Sequence, residues 1–567
     1  MMLFTSHTSN ANPIYALDEI TKPAVNQHGL YSTRRSNANR TALVSLHQHA
    51  GGKEGETSPT SWTYAQLHEE SLRLAHRLSA QGVAPGHRIA TILFNQIEWA
   101  LVFWAAAHLG CQFIGIDYRA VNHKDHAWDL LKGVPCDVII ASNNKLALAV
   151  DNALGQDKNT IKHRFVVEEP QTPGWRALAK HSQDATGDLT KDIVSPSRPD
   201  DTAVIFFTSG TTGSSKACPH SAVTLYSVAR GLSKAHSIDH ESSICQHLPG
   251  FHIFSVVYSL TAWLHGASLV FPNPTFDADC TIRAIQQSRN VILPCVPLMI
   301  QAIARSPIRP HKFETLQTVT IGGSTVYPEV VELCASLGAK RIAAGYGMSE
   351  SLVVATNNQS AEDAIKGGDE VCLGTAVSGG CIRICPPGSC ALLSRGEIGE
   401  VHLGGLTVFS GYLGMEHESC YREGGVNFIV SGDQGYMDNQ GQLYVLGRYK
   451  FDWLPDIRPN QSTSAKAEQE KSVSNPASVE MLEVLSRTDL GFVWYPSLTE
   501  SNTTLKLNTT WDDAQMHASE VSQAMKGFLS ATAWLSRPEN WEQPARECKF
   551  EMEDEIIDVG PEKCYRR

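Results

Sequence analysis

The chain has 567 residues, close to four times the roughly 150 residues of a single domain, so several packed lobes are expected and small disulfide scaffolds are excluded. Hydrophobic residues at 42% and charged residues at 19% match soluble globular proteins, which excludes fibrous, low-complexity and disordered classes. The 59 acidic and 47 basic side chains leave a net charge of −12, a sign that repels phosphate backbones, so nucleic acid is not an expected partner.

In chain order, the first 40 residues lack an apolar core behind a basic start, the mark of a secretory signal, and a cytoplasmic protein is expected. From Ser61 to about Ile140 the text predicts an amphipathic helix (TYAQLHEESLRLAHRLSAQG), a short apolar strand (HRIATILF), a second helix (IEWALVFWAAAHLG) and further short apolar runs. Such alternation predicts an α/β domain with a largely parallel sheet. Residues 168–200 are polar and rich in turn formers and read as a surface connection; a strand over Thr202–Phe207 then restarts the alternation as far as about Thr356. The two longest apolar stretches, Trp99–Ile116 and Phe254–Phe271, are broken by His108 and Gln112 and by His265 and Gly266. They read as buried helices or strands, not membrane spans. Between Gly374 and Gly447, short strands punctuated by glycine predict a β-rich lobe. Residues 454–480 hold few large apolar side chains and read as a polar insert, with helices suggested around Met481–Arg487 and His517–Ser530. The fourteen cysteines follow no pairing scheme and read as reduced thiols, and the cluster Cys381, Cys385 and Cys390 matches no paired CxxC zinc spacing.

The strongest local chemistry lies in TAVIFFTSGTTGSSKACPHS, residues 202–221, where an apolar strand runs into Thr208, Ser209, Gly210, Thr211, Thr212, Gly213, Ser214, Ser215 and Lys216. Glycines let backbone N–H groups approach a polyphosphate, hydroxyls add donors, and the lysine supplies a point charge. A Walker A loop would need glycine immediately before the lysine, where Ser215 stands. A plain polar turn is the alternative for this stretch taken alone.

The SGTTG core with Lys216 three residues on resembles the phosphate loop of the adenylate-forming (AMP-binding) superfamily, the group of acyl-CoA synthetases and ligases. Further motifs stand in that family's order: LPGFHIF (248–254), IGGSTVYPE (321–329), GYGMSES (345–351), GEIGEVHLGG (396–405), SGDQGYMDNQGQLYVLGR (431–448) and Lys450. The resemblance covers roughly Ser61–Lys450. It implies a large N-terminal domain over 1–448, made of two α/β subdomains and a β-rich lobe at about 374–447. A small mobile α+β C-terminal domain would follow over 449–567. It also implies an ATP-dependent acid–thiol ligase: a small carboxylic acid attacks the α-phosphorus of ATP, and CoA captures the resulting acyl adenylate.

That reaction brings two anions together, so positioning and charge neutralisation are its main tasks. Tyr346 offers a flat face for adenine, Ser349 a hydroxyl for the α-phosphate, and Glu350 a hard oxygen ligand for Mg2+. Asp433 carries two acceptor oxygens for the ribose hydroxyls, and Arg448 a donor to ribose or phosphate. Alone, Glu350 would read as a solvated loop carboxylate and Tyr346 as a core aromatic. The resemblance assigns them, with Lys216, to ATP and metal. It also sets His252 at the start of the acyl pocket, Gly322, Gly323 and Ser324 as a narrow wall along the acid, and Gly345 as a further substrate contact. Amino-acid-activating relatives place an aspartate near the aromatic segment to pair the substrate ammonium. Phe251, His252, Ile253 and Phe254 stand here instead, so an acid without an α-amino group is expected.

The resemblance makes Lys450 the hinge between the two catalytic poses and Lys563, followed by Arg566 in DVGPEKCYRR, the candidate for the family's C-terminal catalytic lysine. The text departs from the family after Lys450, where Phe451, Asp452 and Trp453 follow and no glycine stands before Gly491. Ser215 and Ala217 likewise replace the proline and glycine that commonly flank the loop lysine. Two other readings stay open: an acyl-AMP ligase that loads a carrier protein's phosphopantetheine arm, and a catalytically impaired nucleotide-binding relative.

Overall fold

The computed structural model describes residues 38–49, 59–122, 130–131, 133–155, 157, 161–178, 200–208, 215–366, 370–417 and 419–448, together with four short strands beyond them. The chain divides into two compact units, Met1–Gly447 and Arg448–Arg567. In the second unit, the strands Phe492–Trp494, Thr504–Leu507, Lys549–Met552 and Ile556–Asp558 form one sheet in that order. The polar insert at 454–480, the helices suggested around Met481–Arg487 and His517–Ser530, Lys450 and Lys563 lie outside the described residues.

In the first unit, local sequence dictates the helices. Leu67, Leu74, Ala75 and Leu78 recur at helical spacing and are all buried along the helix Tyr64–Ala80. That helix starts with a capping box: the Thr63 hydroxyl accepts the Gln66 N–H at 3.2 Å, and Gln66 Oε1 accepts the Thr63 N–H at 2.8 Å. Helix Ile97–Leu109 is apolar on every side and buried almost throughout, which requires packing all round it.

Two sheets supply that packing. The seven-stranded sheet runs in the order Arg176–Ala177, His163–Val166, Val138–Ala141, Arg88–Ile92, Gln112–Gly115, Thr202–Phe207 and Ala217–Ser221. Its pairs are parallel except the last, an antiparallel hairpin. Because successive strand side chains take opposite faces, Ile89, Val138, Ile140, Val204 and Phe206 enter one core while Ala90, Ile92, Ile139, Ala141 and Ile205 enter another. The ten-stranded sheet has the path Thr375–Ala376, Leu352–Thr356, Arg341–Met348, Leu316–Ile321, Val291–Cys295, Ser243–Cys245, Ser268–Phe271, Thr41–His49 and Pro59–Thr63, with Gln359–Ser360 off it against Arg341–Met348. It is parallel through its centre and antiparallel at both ends.

One hydrophobic core joins the facing sides of both sheets and holds the helices Tyr64–Ala80, Ile97–Leu109, Ala222–His236 and Ile253–Leu264. Trp99, Phe103, Trp104 and Trp263 meet at its centre, with Trp99 stacked on Trp263 at 6.1 Å between ring centroids. Each buried indole is worth roughly 5 kcal/mol of transfer free energy at about 25 cal/mol per Å². Both long apolar stretches are therefore core, each a helix running into a strand, and among the described residues no helix is long and apolar enough to cross a membrane. The third sheet, of strands Gly380–Cys385, Gly399–Gly405, Val426–Met437, Cys420–Glu423 and Leu443–Arg448, forms the β-rich lobe. Thr375–Ala376, which the sequence assigns to that lobe, instead pairs with Leu352–Thr356 in the large sheet.

Candidate active site

Parallel strands deliver the candidate residues at their carboxyl ends, where open α/β sheets place ligands. Ile321 pairs beside Ala344, so IGGSTVYPE and GYGMSES leave the sheet side by side. A methyl group at Gly322 would stand 3.0 Å from the Gly345 carbonyl oxygen and 3.8 Å from Phe254 Cζ, and one at Gly323 would meet Val296 Cγ1 at 3.3 Å. Gly323 also has φ +78°, a conformation that favours glycine. Gly322, Gly323 and Gly345 thus form a close-packed wall with Phe254 against it, and Ser324 follows half-buried. At Gly322 and Gly323 a larger side chain would need its neighbours to move, whereas at Gly345 an added methyl meets nothing closer than 3.7 Å.

His252 stands immediately before the helix Ile253–Leu264. Its side chain is exposed, and Nδ1 accepts the Phe254 N–H at 3.3 Å, capping the helix Ile253–Leu264. Asn95 holds the segment before it, donating to the Leu248 carbonyl at 2.9 Å and accepting the Gly250 N–H at 3.0 Å.

The hairpin Thr202–Phe207 and Ala217–Ser221 presents the loop residues. Its neck is closed by the Thr208 N–H donating to the Lys216 carbonyl and the Lys216 N–H donating to Thr208 Oγ1, both at 3.0 Å. Ser209, Gly210, Thr211, Thr212 and Gly213 lie outside the described residues. Ser349 Oγ donates to the Phe207 carbonyl at 3.3 Å, and His220 Nε2 donates to the Ser349 carbonyl at 2.7 Å. The two sheets are stitched together at this point. Burial pushes His220 down to about 4, so its ring is neutral near pH 7.

Glu350 is 5% exposed, and a buried carboxylate needs donors. The Tyr412 hydroxyl donates to its Oε1 at 2.7 Å. Burial and then the Glu350 charge push the Tyr412 phenol well above its ordinary range, which keeps that donor protonated. Among the described residues Glu350 Oε2 accepts no hydrogen bond, which leaves a hard oxygen for a divalent cation. Lys216 Nζ lies over the face of the same Tyr412 ring, 5.1 Å from its centroid, and 2.8 Å from His417 Nε2. The Tyr346 hydroxyl donates to Asp433 Oδ2, and Asp433 is 6% exposed. Arg448 ends the strand Leu443–Arg448 and is exposed.

Lys216, Ser349 and Glu350 are therefore brought together, as are Tyr346 with Asp433 and Gly322 with Gly345. Tyr412 and His417 are part of the site and carry no strong signal in the sequence. Tyr412 sits in SGYLG, where glycines on both sides mark a turn around one aromatic, and His417 stands in the otherwise unremarked MEHES.

A family model described as AMP-binding enzyme matches residues 31–413. An acyl-CoA ligase of Pestalotiopsis microspora is 26% identical over 446 residues, covering 73% of this chain and 77% of that protein. An indoleacetate–CoA ligase of Aromatoleum aromaticum is 28% identical over 417 residues, covering 71% and 78%. Among solved structures, ATP-bound MatB from Rhodopseudomonas palustris superposes with a TM-score of 0.62 at 18% identity, covering 96% of this chain and 95% of that one. The luciferase-like enzyme of the mealworm Zophobas morio gives 0.63 at 19%, covering 79% and 97%. At these identities the structures establish likeness of fold.

Proposed function

The chain belongs to the family of AMP-binding enzymes, and from that premise we propose that it activates a carboxylic acid with ATP as an acyl adenylate and transfers the acyl group to CoA. The observation that carries this reading is the placing of Lys216 and Glu350 on two sides of Tyr412, cation at the ring face and carboxylate at the hydroxyl. The arrangement suits a triphosphate and its counter-ion: the lysine meets phosphate oxygens and the carboxylate a cation. Mg2+ held by Glu350 would supply neutralisation of phosphate charge.

The remaining roles follow from the chain's own groups. Asp433, aligned by the Tyr346 hydroxyl, accepts from the ribose, and the Tyr346 ring lies along the base. The Ser349 hydroxyl, once turned from the Phe207 carbonyl to which it donates, and the loop Ser209–Gly213 donate to phosphate, with Arg448 adding a donor. The acid lies along Gly322, Gly323, Ser324 and Gly345. Segment 251–254 brings no carboxylate to that wall, so an acid without an α-ammonium fits it, since an unpaired buried ammonium would be costly. Lys563 would act on the α-phosphate and acyl oxygen, with Lys450 as the hinge.

Hydroxylamine trapping with ATP and Mg2+ over fatty, aryl and amino acids tests the reading. Turnover on an acid without an α-amino group, with thioester formed from free CoA, supports it. Product formed only with a carrier protein moves the acceptor, and nucleotide binding without pyrophosphate release would mean a non-catalytic relative. Glu350→Ala lowers adenylation by about 10²-fold or more, as expected for loss of a preorganised electrostatic contact. Full rate in saturating Mg2+ would refute the metal-ligand role.

A further inference from the structure

His417 is a neighbour of Lys216 that the adenylation scheme leaves unused. An ammonium only donates hydrogen bonds, so Nε2, 2.8 Å from Lys216 Nζ, is an acceptor. The single proton of the neutral ring then sits on Nδ1 and is donated to Ser419 Oγ at 2.7 Å. The Ser419 backbone N–H also lies 3.2 Å from Nδ1; with a proton on Nδ1 that approach is a contact and not a hydrogen bond. The imidazole is braced from a second side by Tyr412, whose ring meets it edge-on at 5.2 Å between centroids. Lys216 is thus half-buried between a neutral acceptor and an aromatic face, at the neck of the loop closed by Thr208.

We propose that His417 is a positioning residue for phosphate binding: a neutral acceptor that holds the Lys216 ammonium at the loop neck without cancelling its charge. The proposal rests on the reading of Lys216 as a phosphate ligand. A carboxylate in the place of the imidazole would form an ion pair, and an incoming phosphate would have to compete with it. The imidazole satisfies one ammonium proton and leaves the full charge and the other two protons for phosphate oxygens. Tyr412 complements this by spending its hydroxyl on Glu350, so cation and carboxylate meet through the phenol and do not pair with each other. Ordering the long lysine stem in advance removes part of the cost of ordering it on binding, about threefold to tenfold in affinity for one such side chain.

The test is calorimetric titration of the full chain with ATP in Mg2+ and, separately, with adenosine, which lacks the phosphates. His417→Ala is expected to raise the Kd for ATP about threefold to tenfold and leave that for adenosine unchanged. His417→Gln, whose side-chain oxygen can stand in for Nε2, should recover most of the loss. Lys216→Met should weaken ATP binding as well, and adding His417→Ala to it should cost nothing further, because the histidine acts through the lysine. Equal losses for ATP and adenosine in His417→Ala would mean a structural role and overturn the proposal. An unchanged ATP Kd in His417→Ala beside a raised one in Lys216→Met would overturn it while leaving the phosphate reading intact. An unchanged Kd in Lys216→Met would remove that reading, and the proposal with it.

Discussion

Gly345 and Gly347 flank Tyr346 and look equivalent in GYGMSES, yet the structure gives them opposite tolerance for a methyl group. At Gly345 an added Cβ meets nothing closer than 3.7 Å, an ordinary contact. At Gly347 it would stand 1.7 Å from the Leu352 carbonyl oxygen, 2.7 Å from the Leu352 carbonyl carbon and 2.9 Å from Val353 Cα. All three are backbone atoms of the strand paired with it, Gly347 lying opposite Val353. Leu352 itself holds a left-handed conformation at φ 54°, which leaves little freedom to yield. Carbon and oxygen rest about 3.3 Å apart even in close contacts, so the strands must part by about 1.5 Å. That separation breaks ladder hydrogen bonds worth about 1 kcal/mol each and unpacks the turn behind them, for a total of about 3 kcal/mol or more. Tyr346 lies on one side of this pairing and Ser349 and Glu350 on the other, so nucleotide affinity should fall together with stability. Urea denaturation and ATP titration of Gly347→Ala and Gly345→Ala in parallel provide the assay. Gly345→Ala should stay within about 1 kcal/mol of the parent. Parental stability and ATP affinity in Gly347→Ala would refute the steric argument.

Tyr412→Phe keeps the ring face for Lys216 and removes the only hydrogen bond that the described residues give the Glu350 carboxylate. The Mg2+ concentration for half-maximal adenylation should rise about threefold to tenfold, from loss of a bond to a charged acceptor partly replaced by water; an unchanged Mg2+ profile would remove Tyr412 from the site. His220, His236 and His247 are buried, and burial lowers each to about 4. As pH falls the unfolded rings take protons first, so the stability they contribute is full above about 6.5. It is lost between about 6.5 and 4, by up to about 1.4 kcal/mol per pH unit for each ring. Urea midpoints measured from pH 7 to 4.5 should fall steeply, and a flat profile would contradict the burial argument.

What the sequence by itself determined was local. The helices over Tyr64–Ala80 and Ile97–Leu109 and the strand Thr202–Phe207 were legible because helical and strand periodicity is written in neighbouring residues. The two apolar stretches declared themselves core because each is interrupted too soon to span a membrane. Motif text pointed to Lys216, Tyr346, Glu350 and Asp433 one at a time, each with a bland alternative. Tertiary structure decided the partnerships. Thr41–His49, unmarked in the sequence, joins the large sheet only because Leu43 finds Leu269 across it, and strand pairing of that kind depends on surfaces formed by distant segments. Lys216 and His417 stand 201 residues apart, Tyr346 and Asp433 87, Glu350 and Tyr412 62. No periodicity or spacing encodes those meetings. They arise when two sheets and a β-rich lobe bury their apolar faces and leave the polar ends of their strands facing one another, where each charge must take whatever partner the packing supplies.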